Sequence, residues 1–140
     1  MTIHGFTLPA LLELHLESGG RKLSGEESDR LKSLLARVES PRPRLWGREQ
    51  IVSQHKLWNS PAATYYLGAE SIEFAPGQVD PSRVLIIGEA DEDSPIALDY
   101  RTAGPRVVYL GGVGPQSFWI ELASSYEGLI GVLGEGGAMG

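Results

Sequence analysis

Apolar positions along the chain change their period twice, and those changes divide it into helical and extended stretches. Leu8, Leu11, Leu12 and Leu16 recur at helical spacing and predict a short first helix starting near Leu8-Pro9. Proline is tolerated there because first-turn amides have no partner inside the helix. Gly19-Gly20 supplies the stop. Ser24 with Glu27 three residues later is a capping box, in which each side chain satisfies an otherwise orphan backbone amide. Leu31, Leu34, Leu35 and Val38 then trace one buried stripe and predict a second helix over 24–39. Pro41 and Pro43 end it, since proline excludes the helical conformation from the residue before it.

After Trp46-Gly47 the pattern reads as extended. Short strands are expected over 51–58, 64–67 and 71–74, punctuated by Asn59-Ser60-Pro61, Gly68 and Pro76-Gly77. Val84-Leu85-Ile86-Ile87 is a continuous apolar run suited to a central strand covered on both faces. Ile96, Leu98 and Tyr100 alternate with Ala97 and Asp99, and 107–110 forms a further run. The spacers between these runs are short, which predicts an antiparallel meander, because parallel neighbours need long crossovers. A last helix is expected over 120–133, with Leu122, Tyr126, Leu129, Ile130 and Leu133 on one face and Gly134 as its cap. Ser124, Gly128 and Gly131 would line the opposite side as small residues, each glycine costing about 0.5–1 kcal/mol against alanine. Residues 134–140 read as a glycine-rich tail in a loop. The sum is one α+β domain over 1–140: an antiparallel sheet of about five or six strands, flanked by two N-terminal helices and one C-terminal helix.

Composition adds bounds. A chain of 140 residues with 41% hydrophobic and 21% charged residues buries a real core and is ordinary globular material. Eighteen glycines and nine prolines favour a turn-rich sheet protein. The absence of cysteine excludes disulfides and thiolate metal sites. No apolar run approaches a membrane span, and the N-terminus lacks the pattern of a signal peptide, so a cytoplasmic protein is expected. The net charge of −6 is unevenly spread: 21–56 holds nine basic residues against five acids, while 57–140 holds three against eleven. An acidic surface disfavours nucleic acid. It suits a basic protein partner, because opposite potentials raise the encounter rate, and it also serves solubility.

Candidate chemistry is sparse. The run Glu89-Ala90-Asp91-Glu92-Asp93-Ser94 lacks the alternating acids and central glycine of an EF-hand, so it reads as a solvated hairpin turn or a partner-contacting patch. His4, His15 and His55 are scattered, with no HExxH spacing, and read as structural. No G-x-S-x-G elbow exists. The glycines of 111–115 lack the Lys-Ser or Lys-Thr ending of a phosphate loop, and Pro115 removes an amide donor. Asp99 and Glu121 do not make a hydrolase pair without a positioned partner. Neither a cofactor nor a metal is expected. Trp46, Trp58, Trp119 and the tyrosines read mostly as core, with any exposed one a candidate interface anchor.

One resemblance gathers these elements. Leu8-Pro9 before a helix ending in Gly19-Gly20, then Ile87-Gly88-Glu89 before an acidic turn, Leu98-Asp99 in a strand, Val108-Tyr109, and a final segment with Ala123, Ser125, Tyr126, Leu129 and Ile130 follow in family order. Together they resemble the SUKH superfamily in its Smi/Knr-type branch, over about half the chain and most closely from Val84 onward. The chain departs from that pattern in carrying only residues 1–7 before the Leu-Pro pair, and Tyr126 where phenylalanine is usual. Its second helix and the basic segment after it are also larger than the norm. The resemblance implies a non-enzymatic α+β protein-binding domain. Bacterial members are commonly immunity proteins that neutralise a toxin, often a nuclease, by direct binding, and fungal members regulate cell-wall synthesis through protein contacts. On this reading the chain is an immunity protein, a monomer or weak homodimer, that meets a basic toxin domain through Glu89, Asp91, Glu92, Asp93 and Asp99. The alternative is a regulatory or scaffold domain with no toxin partner.

Overall fold

The computed structural model describes residues 2–58, 67–69, 71, 75–112 and 117–138, with 57 and 135–138 as backbone only. The chain opens with a hairpin of β1 (Thr2–Ile3) and β2 (Phe6–Thr7), followed by helices α1 (Ala10–Glu17) and α2 (Gly25–Leu34). Strand β3 (Arg44–Leu45), helix α3 (Arg48–Trp58) and strand β4 (Pro76–Gly77) come next. The last third comprises β5 (Val84–Asp91), β6 (Ser94–Asp99), β7 (Arg106–Gly111), β8 (Phe118–Ala123) and helix α4 (Tyr126–Ala138). β5 to β8 form a consecutive antiparallel meander, flanked by β3 beside β5 and β4 beside β8, so the six-stranded sheet runs β3-β5-β6-β7-β8-β4. The α+β class and the antiparallel sheet are therefore as the apolar runs predict.

The core explains why the runs matter. Val84 to Ile87, Ile96 to Leu98 and Val107 to Leu110 are all buried, as central strands between covering elements must be. α4 packs on β7 and β8 and against α1 and α2, while α3 packs on β5. Leu12 and Leu16 of α1, Leu31 of α2, and Leu129 and Leu133 of α4 are buried in the same cluster. The capping box forms: Ser24 Oγ accepts from the Glu27 amide at 3.1 Å, and Glu27 Oε1 accepts from the Ser24 amide at 3.0 Å.

Four boundaries differ from the sequence expectation. Residues 51–58 lie in helix α3, not a strand, and Ile51, His55 and Trp58 at i, i+4 and i+7 form its buried face. Strand propensity is a weak guide where a helical stripe can pack on a sheet. The first part of the expected last helix is strand β8, because Phe118 to Ala123 complete a ladder with β7. The helix proper starts at Tyr126, where Ser125 Oγ accepts from the Gly128 amide at 2.9 Å and caps it. Its backbone stays helical through Ala138, so Gly134 is no cap and 134–138 no loop; glycine disfavours helix without forbidding it. Ser124 therefore falls outside that helix, leaving Gly128 exposed and Gly131 half-buried on it. Finally α2 ends at Leu34, and Leu35 and Val38 are buried from the turn that follows. The strands expected over 64–67 and 71–74 lie outside the described residues except for Leu67 and Ser71, as do Tyr65, Tyr66 and positions 113–115 of the glycine loop.

Candidate functional site

The acidic run sits at the tip of the β5–β6 hairpin. Asp91 pairs with Ser94, leaving Glu92-Asp93 as a two-residue turn. Asp91 Oδ1 accepts from the Asp93 amide at 2.9 Å, the local bond by which aspartate holds a turn. Glu92 and Asp93 are exposed and Asp91 half-buried. Register shifts between Ile86 and Gly88, and between Glu89 and Asp91, interrupt the regular β5–β6 ladder before the tip, as bulges that bend a strand do.

Glu89 is tied down instead. It lies opposite Arg44 in the β3–β5 register and forms an ion pair with it, and its side chain is only 14% exposed. Gly88 allows this approach, since a Cβ at that position would overlap the Arg44 carbonyl oxygen. The segment before β3 is likewise fixed to the hairpin. The Arg42 amide donates to the Ala90 carbonyl at 2.7 Å, Pro43 is buried, and Ser40 holds a left-handed φ of 51°.

Between these parts runs an open groove of about 820 Å³. Its lining brings Lys32 from the end of α2, Glu39 and Arg42 together with Asp91, Glu92 and Asp93. Among the described residues no ion pair joins Lys32 or Arg42 to the three tip carboxylates. The sequence reading found the acidic part of this lining and missed the basic part. Its only trace in the sequence is the basic excess of 21–56.

Asp99 does not belong to this surface. It is fully buried, at the opposite end of β6. Its Oδ1 accepts from the Arg101 amide and Arg101 Nε, both at 3.1 Å, and its Oδ2 from Arg106 Nε at 3.0 Å. Burial alone would raise its pKa, but the hydrogen bonds from Arg101 and Arg106 outweigh it and hold the carboxyl below its ordinary value. Arg101 Nη2 also donates to the Gln78 carbonyl at 2.8 Å, and Arg106 reaches Glu121 at 3.7 Å. Asp99 thus locks the β6–β7 turn and offers no surface to a partner.

The histidines sit in packing contacts. His15 Nδ1 lies 2.7 Å from the Tyr126 hydroxyl across the α1–α4 contact, and Tyr126 is buried. Burial and Arg21 lower the His15 pKa, with Glu27 opposing. His55, on a helix and not the expected strand, is buried under His4, whose ring stacks on it at 4.3 Å. Its pKa is lowered by burial and by His4. Phe6 meets the edge of His55 and also contacts Tyr100, whose hydroxyl donates to the Thr7 carbonyl at 2.9 Å; burial pushes that phenol up to about 12. Among the described residues no group of three or more His, Asp or Glu is placed to hold a metal ion, and no helix is long and apolar enough to cross a membrane. No family model, curated protein or solved structure matches the chain.

Proposed function

We propose that the chain is a non-catalytic protein-binding domain of the SUKH type, an immunity protein that neutralises a cognate toxin with a basic binding surface. The observation that carries this reading is the hairpin tip. Asp91, Glu92 and Asp93 are concentrated at the tip of the β5–β6 hairpin, and neither Glu92 nor the Asp93 carboxylate takes part in an ion pair among the described residues. Like charges held together in solvent destabilise the isolated domain slightly and are repaid when a cationic surface docks. Steering by these carboxylates would speed encounter, and steric cover of the toxin's active site would then inhibit it.

The test is to co-purify the chain with the product of the gene beside its own and to assay that protein's activity. A stable complex that abolishes activity supports immunity. A complex that leaves activity intact moves the chain to the regulatory or scaffold class. Replacing Asp91, Glu92 and Asp93 by serine should lower the association rate and flatten its dependence on salt. An unchanged on-rate and salt slope would sink the role of the tip.

A further inference from the structure

We propose that residues 2–20 form a latch that opens in mild acid, when the histidines at its two attachment points take up protons. The device lies beyond the protein-binding reading above and uses none of the hairpin-tip residues.

The segment can move as a separate piece. β1 and β2 pair only with each other and lie outside the six-stranded sheet. Among the described residues, the backbone hydrogen bonds of 2–20 close within the segment. It ends at Gly19 and Gly20, both at positive φ, a pair suited to absorb the backbone rotation of a hinge. Ile3, Leu8, Leu12 and Leu16 hold it down by apolar burial, a grip that takes up no proton.

The polar attachments are different, and all three histidines of the chain sit in them. At the hairpin, His4 stacks on His55 at 4.3 Å, and Phe6 meets His55 and Tyr100. His55 Nδ1 is buried without a hydrogen-bond partner. A neutral imidazole tolerates this with its proton on Nε2. The imidazolium carries a proton on both nitrogens and would bury one of them unpaired. Under α1, the contact is satisfied when Nδ1 of neutral His15 accepts from the Tyr126 hydroxyl. Once His15 is protonated, Nδ1 donates instead, and the buried Tyr126 loses the acceptor for its own proton. Opening uncovers Tyr126 on α4 and His55 on α3.

Neighbouring charges do not rescue either cation. Beside His15, Arg21 opposes a second positive charge, while Glu27, which favours it, is engaged by Arg21 and by the Ser24 amide. Glu127 acts on Tyr126, and Glu13 lies on α1 itself. Among the described residues, His4 is the charged group that acts on His55, and it opposes protonation. Lys56 is exposed beside it. α3 packs on β5, whose acids Glu89 and Asp91 lie at the far end beside β3, and near its start Arg83 and Arg101 act on Asp80. Both folded rings therefore titrate below the ordinary 6.5, so the released rings bind protons more readily and opening gains as pH falls through that value.

The test is native-state amide exchange on the intact chain at pH 7.5 and 5.5, corrected for intrinsic rates, with the histidine ring shifts followed by NMR. Amides of 13–18 should open more often than those of β6 and β7 at both pH values. Their opening constant should rise about tenfold at the lower pH, one histidine's full share, with about a hundredfold as the ceiling for two. His15→Gln combined with His55→Phe should remove that rise. Amides of 13–18 that exchange no faster than those of β6 and β7 overturn the separate latch, and a separate opening that ignores pH overturns the histidine trigger. The unaltered chain decides the trigger even if the double variant does not fold: ring midpoints of His15 and His55 below 6.5 support it, and midpoints at or above 6.5 overturn it.

Discussion

Strand β6 is acidic at both ends, and the two ends behave in opposite ways. Before it stand Asp91, half-buried, and Glu92 and Asp93, exposed at a hairpin tip, none paired with a cation among the described residues. At its far end Asp99 is sealed from solvent and grips two arginines and a backbone amide. The chemical group is the same carboxylate. What differs is whether its charge is spent inside the fold or left available outside it. A buried carboxylate with a complete set of donors is part of the architecture. Of the two ends of β6, it is the tip that retains a field a second molecule can feel.

The largest effect should follow from removing Asp99. Asp99→Ala strands Arg101 and Arg106 at the β6–β7 turn; because both keep some solvent access, a loss of about 2–4 kcal/mol is expected by chemical denaturation. The effect carries a pH signature. Asp99 has a depressed folded pKa, so its contribution is complete above the ordinary value of 3.8 and is lost as pH falls through the lower folded value. The gap between variant and parent should therefore close in strong acid. A gap that persists there would show packing, not charge, to be the cause.

Next in size is Gly88→Ala, which probes how the two kinds of acid are kept apart. The new methyl group overlaps the Arg44 carbonyl oxygen, so β3 must move, at a cost of about 1–3 kcal/mol. Displacing β3 breaks the Arg44–Glu89 pair and adds Glu89 to the free carboxylates of the tip. Steeper salt dependence of binding alongside reduced stability would sharpen the comparison; loss of stability without that change would mean that Glu89 finds another cation.

The difference between the two acids was not legible in the sequence, although much around them was. The runs at 84–87, 96–98 and 107–110 announce buried strands because every residue in them is apolar, and Ser24 with Glu27 announces a cap because that pair has one local use. Ile51, His55 and Trp58 hid a helix because a polar imidazole interrupts an otherwise apolar stripe. Ser125 hid the start of α4 because apolar residues continue on both sides of it, first in β8 and then in the helix. Asp99 resembled any polar position of an alternating strand, and its donors, Arg101 and Arg106, become meaningful only when the turn folds. The groove is assembled from α2, the segment before β3 and the hairpin, elements up to some sixty residues apart, so no local pattern encodes it.

Smaller effects test buried groups that titrate without being ion-paired. Tyr126→Phe removes the hydroxyl facing His15 Nδ1 and should cost about 0.5–1.5 kcal/mol. His55 gives the corresponding pH effect. Its folded pKa lies below the ordinary 6.5, so the unfolded chain binds the proton more readily, and stability is lost as pH falls below about 6.5. His55→Phe should remove that part of the slope between pH 7.5 and 5.5. If the slope is unchanged, the stacked pair with His4 is not its source.

The smallest stability effect belongs to the tip, and it decides the comparison. Replacing Asp91, Glu92 and Asp93 by serine takes the net charge from −6 to −3 and leaves hydroxyls able to hold the turn, though more weakly than aspartate does. Surface changes of this kind shift stability by no more than about 0.5 kcal/mol, and relief of mutual repulsion among three carboxylates favours the variant. The denaturation midpoint should therefore stay near that of the parent while association with a basic partner slows. Should the triple variant instead lose as much stability as Asp99→Ala, the tip carboxylates would be structural as well. The field they project would then be a by-product of folding, and the reasons for reading the tip as a docking surface would fall with it.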